Sequence, residues 1–194
     1  MTEPRCPVLL TIATLGLLLT IPALGQSYTT VPGNTLVTMM GVTDPNAVNE
    51  AWQTALMAAA SNFDEKRVKD LIERKANVNA ASRVGMTALM YARGTPVVKL
   101  LLGAGASVKT KDFSGKTALY YATQRADPEV VRALIEAGAD VNARDNKDRT
   151  ALQLASLQLR SDNFSSRALR DAYRARVQKV IDLLVASGAK ADHP

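Results

Sequence analysis

The sequence predicts an all-α solenoid of four helix-turn-helix repeats joined by extended loops. A threonine-led tetrapeptide recurs four times, as Thr54-Ala55-Leu56-Met57, Thr87-Ala88-Leu89-Met90, Thr117-Ala118-Leu119-Tyr120 and Thr150-Ala151-Leu152-Gln153. Successive threonines are separated by 33, 30 and 33 residues, a period typical of stacked two-helix units. A second landmark, the alanine at positions 76, 106 and 139, precedes the next threonine by 11 residues each time. The linking loops therefore share one length, and stacking supplies the core that a single unit lacks.

The third unit shows how each repeat is built. Thr117 can cap a short first helix through its hydroxyl, and Asp127-Pro128-Glu129 can begin a second helix with proline in its first turn. Apolar residues then recur at the helical period, at Val130, Val131, Leu134 and Ile135. Gly138 follows as a left-handed residue that ends the second helix. We expect Leu119 and Leu134 to lie in the core between repeats.

These motifs resemble the ankyrin repeat, in which a threonine-led tetrapeptide opens a helix and a segment such as Gly138-Ala139-Asp140-Val141-Asn142 follows the second helix. The resemblance covers residues 49 to 191, and it places the repeats at about 49–81, 82–111, 112–144 and 145–191. Alanine replaces the family's usual proline after each threonine. Lys75 stands where the first repeat would carry its left-handed glycine, at a cost on the order of 1 kcal/mol.

Two repeats depart from the common length. The second repeat is three residues shorter between Ala92 and Val97, which predicts an abrupt turn from one helix into the next. The fourth carries an insertion of 17 residues around positions 160 to 173. Apolar residues continue at helical spacing beyond it, so we expect a lengthened final helix that begins near Ser165 or Ser166. A terminal repeat that differs from the others and carries a polar insertion is suited to capping the exposed end of a solenoid.

The amino terminus has the pattern of a secretory signal peptide. Arg5 precedes an apolar run, Val8 to Leu19, and small residues precede the predicted cleavage after Gly25. Residues 1–25 are thus predicted to be removed on export to the periplasm, with an uncleaved anchor as the alternative. The only cysteine, Cys6, precedes the apolar run, which argues against a lipoprotein. Residues 26–48 are predicted to be a flexible leader, although the apolar segment Leu36 to Met40 can pack on the first repeat or add a strand to a partner.

Composition argues against catalysis. The sole histidine, His193, is next to last, so neither a catalytic triad nor a histidine metal cluster can be assembled around it. Carboxylates such as Asp64, Asp140 and Asp145 have structural roles as helix caps or turn residues. We therefore expect no enzyme activity, no cofactor and no bound metal. The net charge of +6 favours acidic partners, anionic lipids or nucleic acid, and export removes the last of these.

The resemblance implies a protein partner bound at the loop tips and the exposed face of the first helices. The residues carried over to this surface are Arg83, Met86, Lys111, Phe113, Lys116, Gln124, Arg125, Arg144, Lys147 and Arg149. Its charges are basic, with Phe113 as an apolar anchor, so we expect an acidic protein surface as partner and a monomeric chain.

The sequence leaves two interpretations of the function open. In the first, the chain is a protein-binding module, either an accessory that stabilises an exported enzyme or an immunity factor that covers a toxin's active site. In the second interpretation, the chain is a peripheral membrane-surface or envelope-anchoring protein, since a further basic group lies near the final helix. That group consists of Arg160, Arg167, Arg170, Arg174 and Arg176.

Overall fold

The computed structural model divides the chain into two compact units, Met1–Thr35 and Leu36–Pro194. It describes residues 45–160 and 166–190, together with the backbone of two short strands, β1 (Leu19–Thr20) and β2 (Ser27–Tyr28). The strands pair antiparallel, with Leu19 opposite Tyr28. The predicted cleavage site after Gly25 lies outside the described residues, and so does the leader up to residue 44 apart from the backbone of Ser27–Tyr28.

The described part of the second unit is helical, as predicted. Its helices are α1 (Ala55–Ser61), α2 (Glu65–Glu73), α3 (Ala88–Tyr91), α4 (Thr95–Gly103), α5 (Ala118–Gln124), α6 (Pro128–Glu136), α7 (Ala151–Leu159) and α8 (Arg167–Ala186). The first helices of the repeats pack in the order α1, α3, α5, α7, and the second helices in the order α2, α4, α6, α8. This two-layer stack of four helix pairs confirms the all-α solenoid.

Side-chain caps explain where the first helices begin. The hydroxyls of Thr54, Thr117 and Thr150 accept hydrogen bonds from backbone N–H groups three residues later, at 3.3, 3.4 and 3.3 Å. Such bonds satisfy donors that have no partner inside a helix. Thr87 also precedes a helix but makes no such bond. Its helix, α3, has only four residues, and Gly94 at φ +75° turns the chain directly into α4, as the shortened repeat predicts.

The core lies between the two layers and between repeats. Leu119 and Leu134 are both 1% exposed, which confirms their predicted positions. Met57 and Met90 are equally buried, so they pack in the core. Stacking thus removes from water the apolar faces that no single repeat can bury.

Backbone geometry confirms two further predictions. Gly138 lies in the left-handed region at φ +83°, and Lys75 takes the same conformation at φ +63° in the first repeat. The final helix α8 spans 20 residues with Ser166 at its N-cap, where the sequence predicted a lengthened helix.

The end of the predicted leader contacts the first repeat. Asn46 Oδ1 accepts a hydrogen bond of 2.7 Å from the backbone N–H of Asn77. Asn79 and Asn142 make the same bond to the following repeat at 2.8 Å. Each of these asparagines lies eight residues before a repeat threonine. Asn46 therefore occupies the place of a repeat-ending asparagine in front of the first repeat.

Candidate functional site

Four five-residue loop tips precede the first helices and share one turn geometry. They comprise residues 49–53, 82–86, 112–116 and 145–149. In the third tip, Asp112 Oδ1 accepts hydrogen bonds from the backbone N–H groups of Ser114 and Lys116 at 2.9 and 2.8 Å. Asn49 and Asp145 close the first and fourth tips in the same way. A short acceptor at the first position therefore fixes each of these turns.

Backbone hydrogen bonds join neighbouring tips into one continuous surface. The N–H of Arg83 donates to the carbonyl of Ala51 at 3.0 Å, and the N–H of Phe113 donates to the carbonyl of Val84 at 3.1 Å. The fourth tip is joined to the third by a bond of 2.9 Å from the N–H of Asn146 to the carbonyl of Ser114. We call this connected row of loop tips the tip edge.

Large apolar side chains are exposed along the tip edge. Trp52, Val84 and Phe113 have exposed fractions of 58%, 53% and 74%. The ring of Phe113 lies against Gly85, where an added Cβ would be only 2.9 Å from Phe113 Cδ1. The neighbouring tip therefore supports the position of this exposed ring. Exposed aromatic residues that are held in place are common anchors of protein interfaces.

Two arginines of the predicted site are paired with aspartates of the fourth tip. Arg149 donates to Asp145 Oδ2 through Nε at 3.0 Å and Nη2 at 2.7 Å. Burial alone would raise the pKa of Asp145, but hydrogen bonds from Arg149 and from the backbone outweigh it and lower this pKa to about 2. Arg144 forms a 3.0 Å salt bridge with the exposed carboxylate of Asp148. These pairs reduce the positive charge that the fourth tip offers to a partner.

Aromatic rings and cations form a cluster beside the third tip. The hydroxyl of Tyr121 donates to Asp112 Oδ2 at 2.6 Å, and burial followed by this contact raises the pKa of Tyr121. Lys116 Nζ lies 5.4 Å from the ring centroid of Tyr120 and 5.8 Å from that of Tyr121. The cation–π geometry holds Lys116 half-buried over the rings.

Comparison with known families gives one decisive match. A family model described as "Ankyrin repeats (3 copies)" matches residues 32–112 and 92–165, well over half of the chain. The chain belongs to the ankyrin-repeat family. Ankyrin repeats are protein–protein interaction modules, and the family is typically a non-enzymatic binding scaffold. The first match also begins ahead of Asn46, so it includes the asparagine that precedes the first described repeat.

The ankyrin stack gives Arg125 a structural contact between repeats. Its guanidinium donates to the backbone carbonyls of Met90 at 3.3 Å and Ala92 at 2.9 Å, at the end of the short helix α3. Burial lowers the pKa of Arg125, and the nearby charge of Arg93 lowers it further. We therefore treat Arg125 as an inter-repeat tie. Its charge is directed at these carbonyls and away from the tip edge.

The other predicted residues fall on different parts of this surface. Arg83 and Lys147 are exposed on the tip edge, while Met86 is half-buried against the core. Lys111 lies just before the third tip, and its Nζ donates to the carbonyl of Arg144 at 2.9 Å. Gln124 is exposed at the opposite end of α5 from the tip edge. The structure thus brings Arg83, Phe113 and Lys147 onto one edge and separates Gln124 from them.

Sequence reasoning missed two contributions to the ankyrin surface. Trp52 was not selected, although it precedes Thr54 by the same two residues that separate Gly85 from Thr87. Asp148 was also left out, although it directly follows Lys147 and supplies the partner of Arg144. The position of each residue relative to the repeat threonine was the sequence signal that could have identified both.

The second basic group lies on and near α8. Arg167 and Arg176 are exposed, whereas Arg170 and Arg174 are half-buried. Leu169, 62% exposed, lies among them, and Arg167 forms a 3.7 Å salt bridge with Asp171. No helix in the described ranges is long and apolar enough to cross a membrane. The same part of the chain holds no group of three or more metal-binding side chains.

Proposed function

We propose that this ankyrin module works in the bacterial periplasm and binds an acidic surface of another protein through its tip edge. It then acts as an accessory that stabilises an exported enzyme or as an immunity factor that covers a toxin's active site. The supporting observation is Phe113, the most exposed large apolar side chain in the described ranges, on an edge that also carries Arg83 and Lys147. An apolar anchor beside cations is suited to a carboxylate-rich protein surface.

The cations and the anchor have different physical roles. Charges on the rim of an interface attract an oppositely charged partner and orient it, so they mainly raise the association rate. Truncation of a buried aromatic anchor mainly raises the dissociation rate. Arg83, Lys111 and Lys147 belong to the first group, because no carboxylate in the described residues forms a salt bridge with any of them.

The periplasmic location rests on the sequence. The apolar run after Arg5 and the small residues before Gly25 have the pattern of a cleaved signal peptide. Removal of residues 1–25 also removes Cys6, so the mature chain has no thiol. A thiol-free protein folds in an oxidising compartment without forming wrong disulfides.

Site-specific photo-crosslinking in the native envelope tests this function. A benzoylphenylalanine residue replaces Phe113 in one variant and Lys99, an exposed residue of α4, in the control. We expect irradiation to produce one defined protein adduct from position 113 that position 99 does not give, with an acidic protein identified in it by mass spectrometry. The same adduct from both positions, or no adduct from position 113, would contradict binding through the tip edge.

A membrane-surface function is the second candidate, and Leu169 among the arginines of α8 favours it. Basic helices with an exposed apolar side chain bind anionic membranes through electrostatic attraction to the lipids and through burial of the apolar side chain. Sedimentation of residues 26–194 with vesicles of anionic or neutral lipid tests this reading. Binding to anionic vesicles that is lost in the variant Arg167→Glu/Arg176→Glu would favour it, while an unbound protein would leave the tip edge as the functional surface.

A further inference from the structure

Trp52 occupies a strained backbone position on the tip edge. Its φ is +57°, in the left-handed region, while the equivalent residues of the second and third tips are Gly85 and Gly115 and that of the fourth tip is the smaller Asp148, at φ +59°. A bulky residue is rare there because its Cβ crowds the backbone. Trp52 is also the only tryptophan of the chain, and more than half of its side chain is exposed. Strained exposed residues are concentrated at sites that bind ligands.

Arg83 lies between Trp52 and Phe113 on the connected edge. Its backbone N–H contacts Ala51 of the first tip, and its neighbour Val84 accepts the bond from Phe113 of the third tip. The Arg83 side chain is exposed and has no hydrogen-bond or salt-bridge partner among residues 45–160 and 166–190. Arg149 of the fourth tip and Arg144 just before it, by contrast, are already paired with aspartates. Of Arg83, Arg144 and Arg149, Arg83 is therefore the arginine most available to a carboxylate of a partner.

We propose that Trp52, Arg83 and Phe113 bind an extended acidic segment of the partner, with the two aromatic residues holding apolar side chains and Arg83 holding a carboxylate between them. This inference rests on the proposed function and specifies the chemistry of the segment that the tip edge recognises. Tryptophan and arginine are the residue types most enriched among the energetically dominant residues of protein interfaces. Glu50, exposed on the first tip, directs the partner's acid towards the second tip by repelling carboxylates beside Trp52.

The spacing of the repeats sets the length of the segment. Packed helices lie about 8–10 Å apart, so the first and third tips are separated by roughly 16–20 Å. An extended chain advances about 3.3 Å per residue, so about seven residues cover that distance. Side chains alternate in direction along such a chain, which places residues 1, 3, 5 and 7 on the same side. The matching segment thus has apolar residues at positions 1 and 7 and acids at positions 3 and 5.

A labelled peptide with the sequence Leu-Ser-Asp-Ser-Asp-Ser-Leu is the direct probe. Two control peptides replace both aspartates by lysine or both leucines by serine. We expect fluorescence polarisation to give at least tenfold weaker binding for each control peptide. Binding of the acidic peptide to the unsubstituted protein should also shift the emission of Trp52, which reports contact at one known position because the chain has no other tryptophan.

Variants of the protein test the assigned roles. Trp52→Ala and Phe113→Ala should each weaken binding of the acidic peptide at least tenfold, and Arg83→Glu should reverse the preference so that the lysine peptide binds more tightly. Lys99→Glu on α4 should leave the affinity unchanged. Thermal unfolding of each variant establishes that it is folded.

The two proposals fail in different ways. Equal affinity for the three peptides, absence of binding, or an unchanged preference in Arg83→Glu would overturn the extended acidic segment as ligand. If the peptide proposal fails but position 113 still gives the protein adduct, the partner binds the tip edge through contacts other than an extended acidic segment, and the proposed function remains. Loss of both the peptide binding and the adduct would overturn both proposals.

Discussion

The carboxylate of Asp145 accepts two hydrogen bonds from the guanidinium of Arg149, at 3.0 and 2.7 Å, within a single loop tip. The same carboxylate accepts the backbone N–H groups of Lys147 and Arg149, and its side chain is only 1% exposed. A surface arginine that the sequence assigns to a partner thus also closes its own turn.

The first prediction concerns acid stability. The pKa of Asp145 is about 2 in the folded protein, below its ordinary value of 3.8, so its ionised form stabilises the fold. This contribution is present above pH 4 and is lost as the pH falls towards 2. In urea unfolding, Asp145→Asn should therefore lose less stability than the unsubstituted protein between pH 5 and pH 2.5. Asp171→Asn, on the exposed side of α8, controls for the removal of one charge. An identical loss in Asp145→Asn and the unsubstituted protein would contradict the assignment.

The second prediction concerns the core. Leu134→Ala should lower the free energy of unfolding by roughly 2–5 kcal/mol, through lost burial and the cavity that remains. Leu169→Ala is the matched control, because this leucine is exposed on α8 and its truncation should change stability by less than about 0.5 kcal/mol. Chemical denaturation of both variants measures the difference. Similar unfolding midpoints for the two would contradict the core position of Leu134.

The third prediction isolates the left-handed position after the second helix. Lys75→Gly should raise the free energy of unfolding by about 1 kcal/mol, because glycine adopts φ +63° without crowding a Cβ. The reverse change at the equivalent position, Gly138→Lys, should lower it by a similar amount. Open space surrounds Gly138, so backbone conformation alone determines the result. A destabilised Lys75→Gly variant would show that the lysine side chain stabilises the fold by more than the backbone strain destabilises it.

The fourth prediction applies to any partner identified by crosslinking at position 113. Phe113→Ala should mainly speed dissociation, whereas Lys111→Glu/Lys147→Glu should mainly slow association. The effect of the charge reversal should fade as salt rises, because exposed charges are screened over about 8–10 Å at physiological ionic strength. Surface plasmon resonance at low and moderate salt measures both rates. Salt-independent association of the unsubstituted protein would exclude electrostatic steering.

The fifth prediction separates folding from binding at the fourth tip. Arg149→Glu should destabilise the protein, because it brings a second carboxylate against buried Asp145 and removes two charge-assisted hydrogen bonds. Lys147→Glu changes the charge of the same tip without breaking such a pair, so its melting temperature should stay near that of the unsubstituted protein. Differential scanning calorimetry checks this contrast. A stable Arg149→Glu variant would show that the pair contributes little to the fold.

Mass spectrometry of the protein isolated from the envelope fraction tests the predicted export and amino terminus. We expect the mature chain to begin at Gln26, because the apolar run before it is short and is followed by the helix-breaking Pro22. A mature chain that retains Met1 would favour the anchored alternative.

Periodicity was sufficient to predict the stack and its core. The fixed phase of Thr117, Leu134 and Gly138 within a repeat reflects interactions that recur along the stack, namely a packed side chain, a left-handed turn and, in three of the four repeats, a threonine cap. Contacts that occur only once were harder to foresee. Arg125 reaches the carbonyls of Met90 and Ala92 because the second repeat is short and α3 ends early. That contact depends on the shortening of the second repeat. The sequence of the third repeat, which contains Arg125, therefore does not encode it.

Charge counting along the sequence also had a physical limit. It identified Arg144 and Arg149 as basic surface residues but did not show which carboxylates lie against them. The turn of the fourth tip brings Asp145 and Asp148 into contact with these two guanidinium groups. The available positive charge is consequently shifted towards Arg83 and Lys147.

The asparagine bond between repeats also defines where the array can be lengthened. Asn46 and Asn79 are 33 residues apart, and each contacts the first residue after the landmark alanine of the following repeat. A tandem duplication of residues 47–79 would keep an asparagine at both junctions and preserve the distance to each threonine. Copying this module offers a direct route to longer receptors with additional loop tips and a wider range of recognised sequences.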